Sequence, residues 1–76
     1  MEQRSLSTIA HEILRDWKKP YFGAVPYIRA MTELDSVRDT YIAESGKSIV
    51  LYFLSNASSW RGDKAKAIKA ELKAML

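Results

Sequence analysis

Gly46, Lys47 and Ser48 form the stretch of sequence that comes closest to a nucleotide-binding motif, the end of a phosphate-binding P-loop. That motif needs a glycine five positions before Gly46, so that successive backbone N–H groups can wrap the phosphates. Tyr41 occupies that position. The spacing instead predicts a helix start, in which Gly46 permits the turn and Ser45 or Ser48 caps the helix. We therefore expect no nucleotide cofactor.

Titratable side chains on the polar side of the first helical segment are a second candidate. His11, Glu12, Arg15 and Asp16 lie close together, and a histidine beside carboxylates can transfer protons. No nucleophile lies at helical spacing from His11, and the outside of a helix offers no pocket that excludes water. We interpret these residues as a solvated helix face, and we expect no catalytic residue and no enzyme activity.

Asp35, Asp39 and Glu44 raise the question of a calcium site, because carboxylate oxygens are ligands of that ion. A calcium loop needs oxygen ligands at alternating positions around a central glycine, and these three acids lack that spacing. The chain has no cysteine and one histidine, which excludes zinc–thiolate sites and two-histidine sites within one chain. The sequence therefore predicts neither a metal nor a cofactor.

The excess positive charge of the chain lies in its last segment. Residues 1–59 carry seven basic and seven acidic side chains, whereas residues 60–76 carry five basic and two acidic ones. Lysines at helical spacing beside an aromatic ring can follow a phosphate backbone while the ring stacks on a base. The competing interpretation gives the lysines a role in solubility and in complementing the helix dipole, with Trp60 in the core. The candidates for nucleic-acid binding are Arg61, Lys64, Lys66, Lys69 and Lys73.

Residues 33–44 have the opposite bias, with four acidic side chains against one basic side chain, Arg38. Two segments of opposite sign make the molecule a mild electrostatic dipole. The distribution of charge is therefore more informative about partners than the net charge of +3.

Aromatic side chains on predicted loops and helix edges are the other binding candidates, because such residues are favoured anchors of protein interfaces. The competing interpretation is that they close the ends of a small core. The candidates for partner binding are Tyr21, Phe22, Tyr27 and Tyr52. We expect a protein partner or a homodimer, and the sequence indicates no small-molecule substrate.

Hydrophobic periodicity predicts that short helices carry these candidates. The first helix covers residues 5–19, with Ser5 or Ser7 as its N-cap, and ends before Pro20. The second is shorter and has Pro26 in its first turn, where the missing N–H of proline is not needed.

The third helix is the ambiguous one. Residues 49–54 form an apolar run of strand-like residue types, and residues 44–47 could turn a hairpin against residues 41–43. The apolar side chains of this region nevertheless share one helical arc, with Leu51 as the exception. This pattern favours a helix over residues 48–60.

A fourth helix, capped by Asp63, is rich in alanine, the best helix former. The predicted fold class is all-α, a small compact bundle of about four short helices in a single domain of residues 1–76. A small hairpin within residues 40–54 would make the fold α+β instead.

The longest apolar run is far shorter than the roughly 20 residues that a membrane-spanning helix needs. We therefore expect no membrane association. The chain also lacks cysteine and begins without the pattern of a secretory signal. The expected location is the cytoplasm.

Several stretches of the chain carry a resemblance to other proteins. Residues 16–18 read DWK, residues 21–27 read YFGAVPY and residues 45–54 read SGKSIVLYFL, followed by NA at 56–57 and WRG at 60–62. Over most of its length the chain thereby resembles small, uncharacterised proteins of bacteriophages and bacterial prophage regions. That group has no assigned activity, so the resemblance identifies no functional residue. It implies a bacterial cytoplasmic setting and an accessory binding role more than an enzyme.

The function predicted from the sequence is that of a non-enzymatic, phage-type accessory protein, a small helical module that binds a protein partner, itself included. The alternative is a small nucleic-acid-binding protein that uses its basic C-terminal helix. A contiguous apolar patch or a stable dimer would favour the first function. Steep loss of affinity with salt would favour the second.

Overall fold

A computed structural model of the protein describes residues 4–76 as four α-helices and one small β-hairpin. The helices are α1 (Leu6–Asp16), α2 (Val25–Met31), α3 (Gly46–Ser55) and α4 (Asp63–Ala74). The hairpin consists of β1 (Thr40–Tyr41) and β2 (Glu44–Ser45) and lies between α2 and α3. The predicted helices are present, and the fold is mostly helical rather than purely all-α.

α1 begins where its sequence predicts and ends earlier. The side-chain oxygen of Ser5 accepts the N–H of Thr8 at 3.1 Å, which makes Ser5 the N-cap. The last helical residue is Asp16, although the N–H of Trp17 still donates to the carbonyl of Ile13 at 2.8 Å. The chain leaves the helix here as the side chain of Trp17 turns into the core, so the prediction that α1 reaches residue 19 is wrong.

α3 confirms the helical interpretation of the apolar run at residues 49–54. Ser45 is its N-cap and accepts the N–H of Ser48 at 3.2 Å, as expected for a helix start at this position. Leu51 lies on the exposed side of α3, which explains why it falls outside the apolar arc. The helix ends at Ser55, earlier than predicted.

The hairpin precedes α3 instead of including its apolar run. β1 and β2 pair antiparallel with Tyr41 opposite Glu44, so residues 42–43 form the turn. The hairpin alternative places its turn at residues 44–47, which differs from the structure because Ser45 already caps α3.

Gly46 lies where the chain passes very close to itself. A Cβ at this position would lie 2.7 Å from the carbonyl oxygen of Ser36 and 3.0 Å from the Cα of Val37. The N–H of Gly46 donates to the carbonyl of Asp39 at 2.7 Å, and that of Lys47 donates to the carbonyl of Val37 at 3.0 Å. The root of the hairpin is thus fixed against residues 36–39. The N–H groups that would face a phosphate in a P-loop are used within the fold.

Three aromatic rings pack together in the core. Trp17 stacks on Trp60 with ring centroids 5.7 Å apart, and Phe53 meets both rings edge-on at 6.5 and 6.3 Å. Trp60 is 2% exposed, and its Nε1–H donates to a carboxylate oxygen of Asp16 at 2.8 Å. This confirms the interpretation of Trp60 as a core residue, with its polar atom hydrogen-bonded as buried indoles require.

A cluster of charged side chains holds α4 to α1. Arg4 pairs with Glu71 at 2.9 Å and with Glu12, and Lys64 pairs with Glu12 at 3.0 Å. Hydrogen bonds from Lys64 and then from Arg4 lower the pKa of Glu12. The interpretation of this acid as part of a solvated face beside His11 is therefore wrong, because Glu12 links two elements distant in sequence.

α4 begins without the predicted aspartate cap. Gly62 is the N-cap, with a φ of 115° that favours glycine, and Asp63 is already the first helical residue. No side chain in the described part of the chain donates or accepts a capping hydrogen bond at this end. The carboxylate of Asp63 acts instead as a negative charge in the first turn, where it complements the helix dipole.

Candidate functional site

The aromatic partner-binding candidates form two pairs of rings. The centroids of Tyr21 and Phe22 are 4.8 Å apart, and those of Tyr27 and Tyr52 are 5.4 Å apart. Phe22 is 80% exposed, and Tyr21 and Tyr52 are exposed by nearly half. Tyr27 packs against the core. The interpretation of these residues as closing the core therefore applies to Tyr27, whereas the other three keep large accessible areas.

The two pairs are connected through Gly23 and Asn56. A Cβ on Gly23 would lie 2.6 Å from the ring of Tyr21 and 2.9 Å from the side-chain oxygen of Asn56. The side-chain nitrogen of Asn56 donates to the carbonyl of Tyr52 at 2.8 Å. Gly23 and Asn56 therefore bring Tyr21 close to the end of α3, the helix that carries Tyr52.

An apolar groove lies between α2 and the hairpin. α2 contributes Pro26, Tyr27 and Ala30, the hairpin contributes residues 41–44, and α3 contributes Ile49. The groove has a volume of about 380 Å³, within the range of roughly 300–1,000 Å³ that is typical of binding pockets. Sequence reasoning missed the groove because its walls come from three elements whose packing against one another cannot be read from local sequence patterns.

Ile42, at the tip of the hairpin, forms part of the groove rim. Among residues 4–76 it is the most exposed large hydrophobic residue, at 87%. Its φ of 56° lies in the left-handed region, which costs an L-residue roughly 1–2 kcal/mol and is rare for β-branched side chains. Two-residue hairpin turns usually place glycine or asparagine at such positions. Ile42 is therefore unfavourable for the isolated protein in both its exposure and its backbone conformation.

Glu44 gives the groove its electrostatic character. Of the described residues that line the groove, it is the only charged one. It is exposed, and the ion pairs within residues 4–76 do not include its carboxylate. A further acid, Glu33, lies one turn beyond Ala30, to whose carbonyl its N–H donates at 3.1 Å. The groove thus combines apolar walls with one carboxylate, that of Glu44.

Two of the five nucleic-acid candidates have partners within the fold. Lys64 pairs with Glu12 at 3.0 Å. The ammonium of Lys69 donates to the carbonyl of Trp60 at 2.6 Å and lies 5.9 Å from the centroid of that ring. Because Trp60 is buried, its ring is not available to stack on a base.

The other three cations are exposed. Arg61 and Lys66, together with Lys69, line a second cleft of about 360 Å³ at the start of α4, which also contains the acid Asp63. Partial burial, followed by repulsion from Lys73 and Arg61, lowers the pKa of Lys69. Arg61, Lys66 and Lys73 are therefore the exposed cations that could contact a phosphate backbone. The acid Asp63 lies in the same cleft as the first two.

The residues that raised catalytic and metal hypotheses have other contacts. Nδ1 of His11 is hydrogen-bonded to the carbonyl of Ser7 at 2.8 Å. One carboxylate oxygen of Asp39 accepts the N–H groups of Asp35 and Ser36 at 2.9 and 3.1 Å. The part of the chain that the structure describes contains no group of three or more histidine or acidic residues that could hold a metal ion.

None of the helices described within residues 4–76 is long and apolar enough to cross a membrane. The chain matches no protein family, no curated protein and no solved structure. The resemblance to phage and prophage proteins therefore stays a prediction.

Proposed function

We propose that the protein is a non-enzymatic interaction module, an accessory protein of phage type that binds a protein partner. Its docking face is the groove together with the exposed rings of Tyr21, Phe22 and Tyr52. The observation that carries the proposal is Ile42, which is 87% exposed and held at a φ of 56° on the groove rim. Strained backbone in a single residue is typical of binding sites, where a partner can compensate for its cost.

The chemistry of the docking face also fits a protein partner. Aromatic side chains around a desolvated pocket are the usual centre of a protein interface. Covering a large apolar side chain such as Ile42 or Phe22 contributes about 1.5–3 kcal/mol. Ile42 and Phe22 are therefore the side chains best suited to anchor a partner.

The experiment that tests this proposal uses Ile42→Gly and Phe22→Ala as binding variants, with Leu14→Ala as a matched control. Leu14 is 40% exposed on α1, and it is not among the groove-lining residues or the exposed rings that define the docking face. Proteins retained from a bacterial lysate by the wild type are purified and titrated directly by fluorescence anisotropy. Sedimentation of the protein alone tests self-association.

We expect Ile42→Gly and Phe22→Ala to weaken partner binding by about tenfold or more, since each loses about 1.5 kcal/mol or more of apolar burial. The Leu14→Ala control should bind as the wild type does. Binding that survives both substitutions, or a wild type that binds no protein and stays monomeric, would contradict the proposal.

Nucleic-acid binding through α4 is the second candidate function. It is supported by the cleft lined by Arg61, Lys66 and Lys69, at a helix start that lacks a side-chain cap. The test is an anisotropy titration with single- and double-stranded DNA and RNA at about 50 and 200 mM salt. Salt-sensitive binding that is lost in a Lys66→Ala, Lys73→Ala double variant would support this function, and no binding at the lower salt would remove it.

A further inference from the structure

We infer that the groove binds a basic segment of another protein, one that places a large apolar side chain between α2 and the hairpin and a lysine or arginine against Glu44. This inference rests on the proposed function and specifies the chemistry of the partner. The proposed function depends on Ile42 at the tip of the hairpin, whereas this inference depends on the residues that line the groove walls.

The apolar half of the groove accommodates a side chain. Ala30 and Ala43 are the small residues of its walls, and Ile49 is almost completely buried beneath them. The volume of about 380 Å³ is open between α2 and the hairpin. An aliphatic or aromatic anchor entering this space would be covered by Ile42 at the rim.

The polar half of the groove has the chemistry that recognises a cation. Tyr27 and Tyr41 are both partly buried wall residues, and their ring faces attract lysine or arginine. Glu44 adds a carboxylate, the usual partner of such a side chain in a charge-assisted hydrogen bond. Two tyrosines and one glutamate also suit the long aliphatic stem of these residues, which packs on apolar surface while its charged end stays in water.

The charges around the groove argue against other occupants. An acidic segment or a phosphate backbone would place like charges beside Glu44. The basic helix α4 of a second copy has suitable charge, but its large apolar residues Ile68 and Leu72 are buried in its own core. α4 of a second copy therefore has no large exposed apolar residue with which to fill the groove.

The test is a selection of random peptides displayed on phage against the immobilised full-length protein, followed by calorimetric titration of the enriched peptides. We expect enriched sequences to combine a large apolar residue with lysine or arginine. Glu44→Gln should weaken their binding by about tenfold, the loss of one charge-assisted hydrogen bond. Glu44→Lys should change the selected peptides from basic to acidic.

Asp63→Lys is the matched control, because it makes the same charge change on α4, in a residue that does not line the groove. Its titrations should match the wild type, and circular dichroism checks that each variant is folded. Peptides that need Ile42 but show no charge preference, or whose binding ignores both Glu44 substitutions, would overturn this inference and leave the proposed function intact. A basic partner is equally ruled out if no selected peptide needs Ile42 for binding. The same holds if two copies of the protein associate through Ile42.

Discussion

Two groups of aromatic side chains in this protein have similar composition and opposite environments. The core group is Trp17, Phe53 and Trp60, and the surface group is Tyr21, Phe22 and Tyr52. The core rings pack on one another and are at most 8% exposed, whereas Phe22 is 80% exposed. The core of a small domain can thus be complete while other rings remain outside it.

The core group and the surface group therefore contribute to different properties of the protein. The rings of the core group contribute stability by leaving water, and the Trp60 indole is also hydrogen-bonded to Asp16. The rings of the surface group are exposed, so they contribute less to folding and remain accessible to a partner. Substitutions in the first group should therefore change stability, and substitutions in the second group should change binding.

The largest effect is expected for Trp60→Ala. Truncating a buried aromatic ring costs about 3–5 kcal/mol, as much as the whole stability of about 3–5 kcal/mol expected for one small core. Urea unfolding followed by circular dichroism should find this variant largely unfolded. Phe22→Ala should change the free energy of unfolding by less than about 0.5 kcal/mol, as exposed substitutions usually do. Similar losses for the two variants would contradict the comparison.

An intermediate change in stability is expected when the pH is lowered, because ion pairs of Glu12 with Arg4 and Lys64 hold α4 to α1. Lys64 and Arg4 lower the pKa of Glu12 below its ordinary value of 4.5. A lowered pKa in the folded state gives stability that is present above the ordinary value and is lost as the pH falls through the lowered one. We expect the urea midpoint to fall on acidification over that range.

Glu12→Gln is the variant that tests this assignment. It should lose about 0.5–1 kcal/mol of stability at neutral pH, the range measured for partly exposed ion pairs. Its urea midpoint should also depend less on pH than that of the wild type. An unchanged acid dependence would mean that other carboxylates determine it.

A small effect on stability, with the opposite sign, is expected for Ile42→Gly. Relief of the left-handed backbone gains roughly 1–2 kcal/mol, and the greater flexibility of unfolded glycine offsets about 0.5–1 kcal/mol of it. The free energy of unfolding should therefore rise by about 0.5 kcal/mol while partner binding falls. Ala43→Gly is the control, because Ala43 has no left-handed strain to relieve. A destabilised Ile42→Gly would show that the side chain serves the fold.

The helices and the core could be predicted from the sequence because they depend on local signals. Periodicity identified the buried face of α3 and placed Trp60 in the core, and a serine in the right position identified the cap of α1. The end of α1 could not be predicted, because it depends on the stacking of Trp17 on a ring that is distant in the sequence.

The candidate site was less predictable, because its parts meet only in the folded chain. Tyr27 and Tyr52 were identified as residue types, but not their contact with each other or the groove beside them. The pairing of Lys64 with Glu12 likewise joins distant positions. One sequence signal for the groove did exist, since Ile42 is a large aliphatic residue in a polar stretch with no helical periodicity around it.

Gly46 lies at the root of the hairpin, where a Cβ would collide with backbone atoms of Ser36 and Val37. Under the proposed function, Ile42 would then be in place before a partner arrives. Association would lose little conformational entropy, and no folding step would have to precede it. Selection for binding would then act on a residue that touches no partner, because even a methyl group at Gly46 would displace the tip.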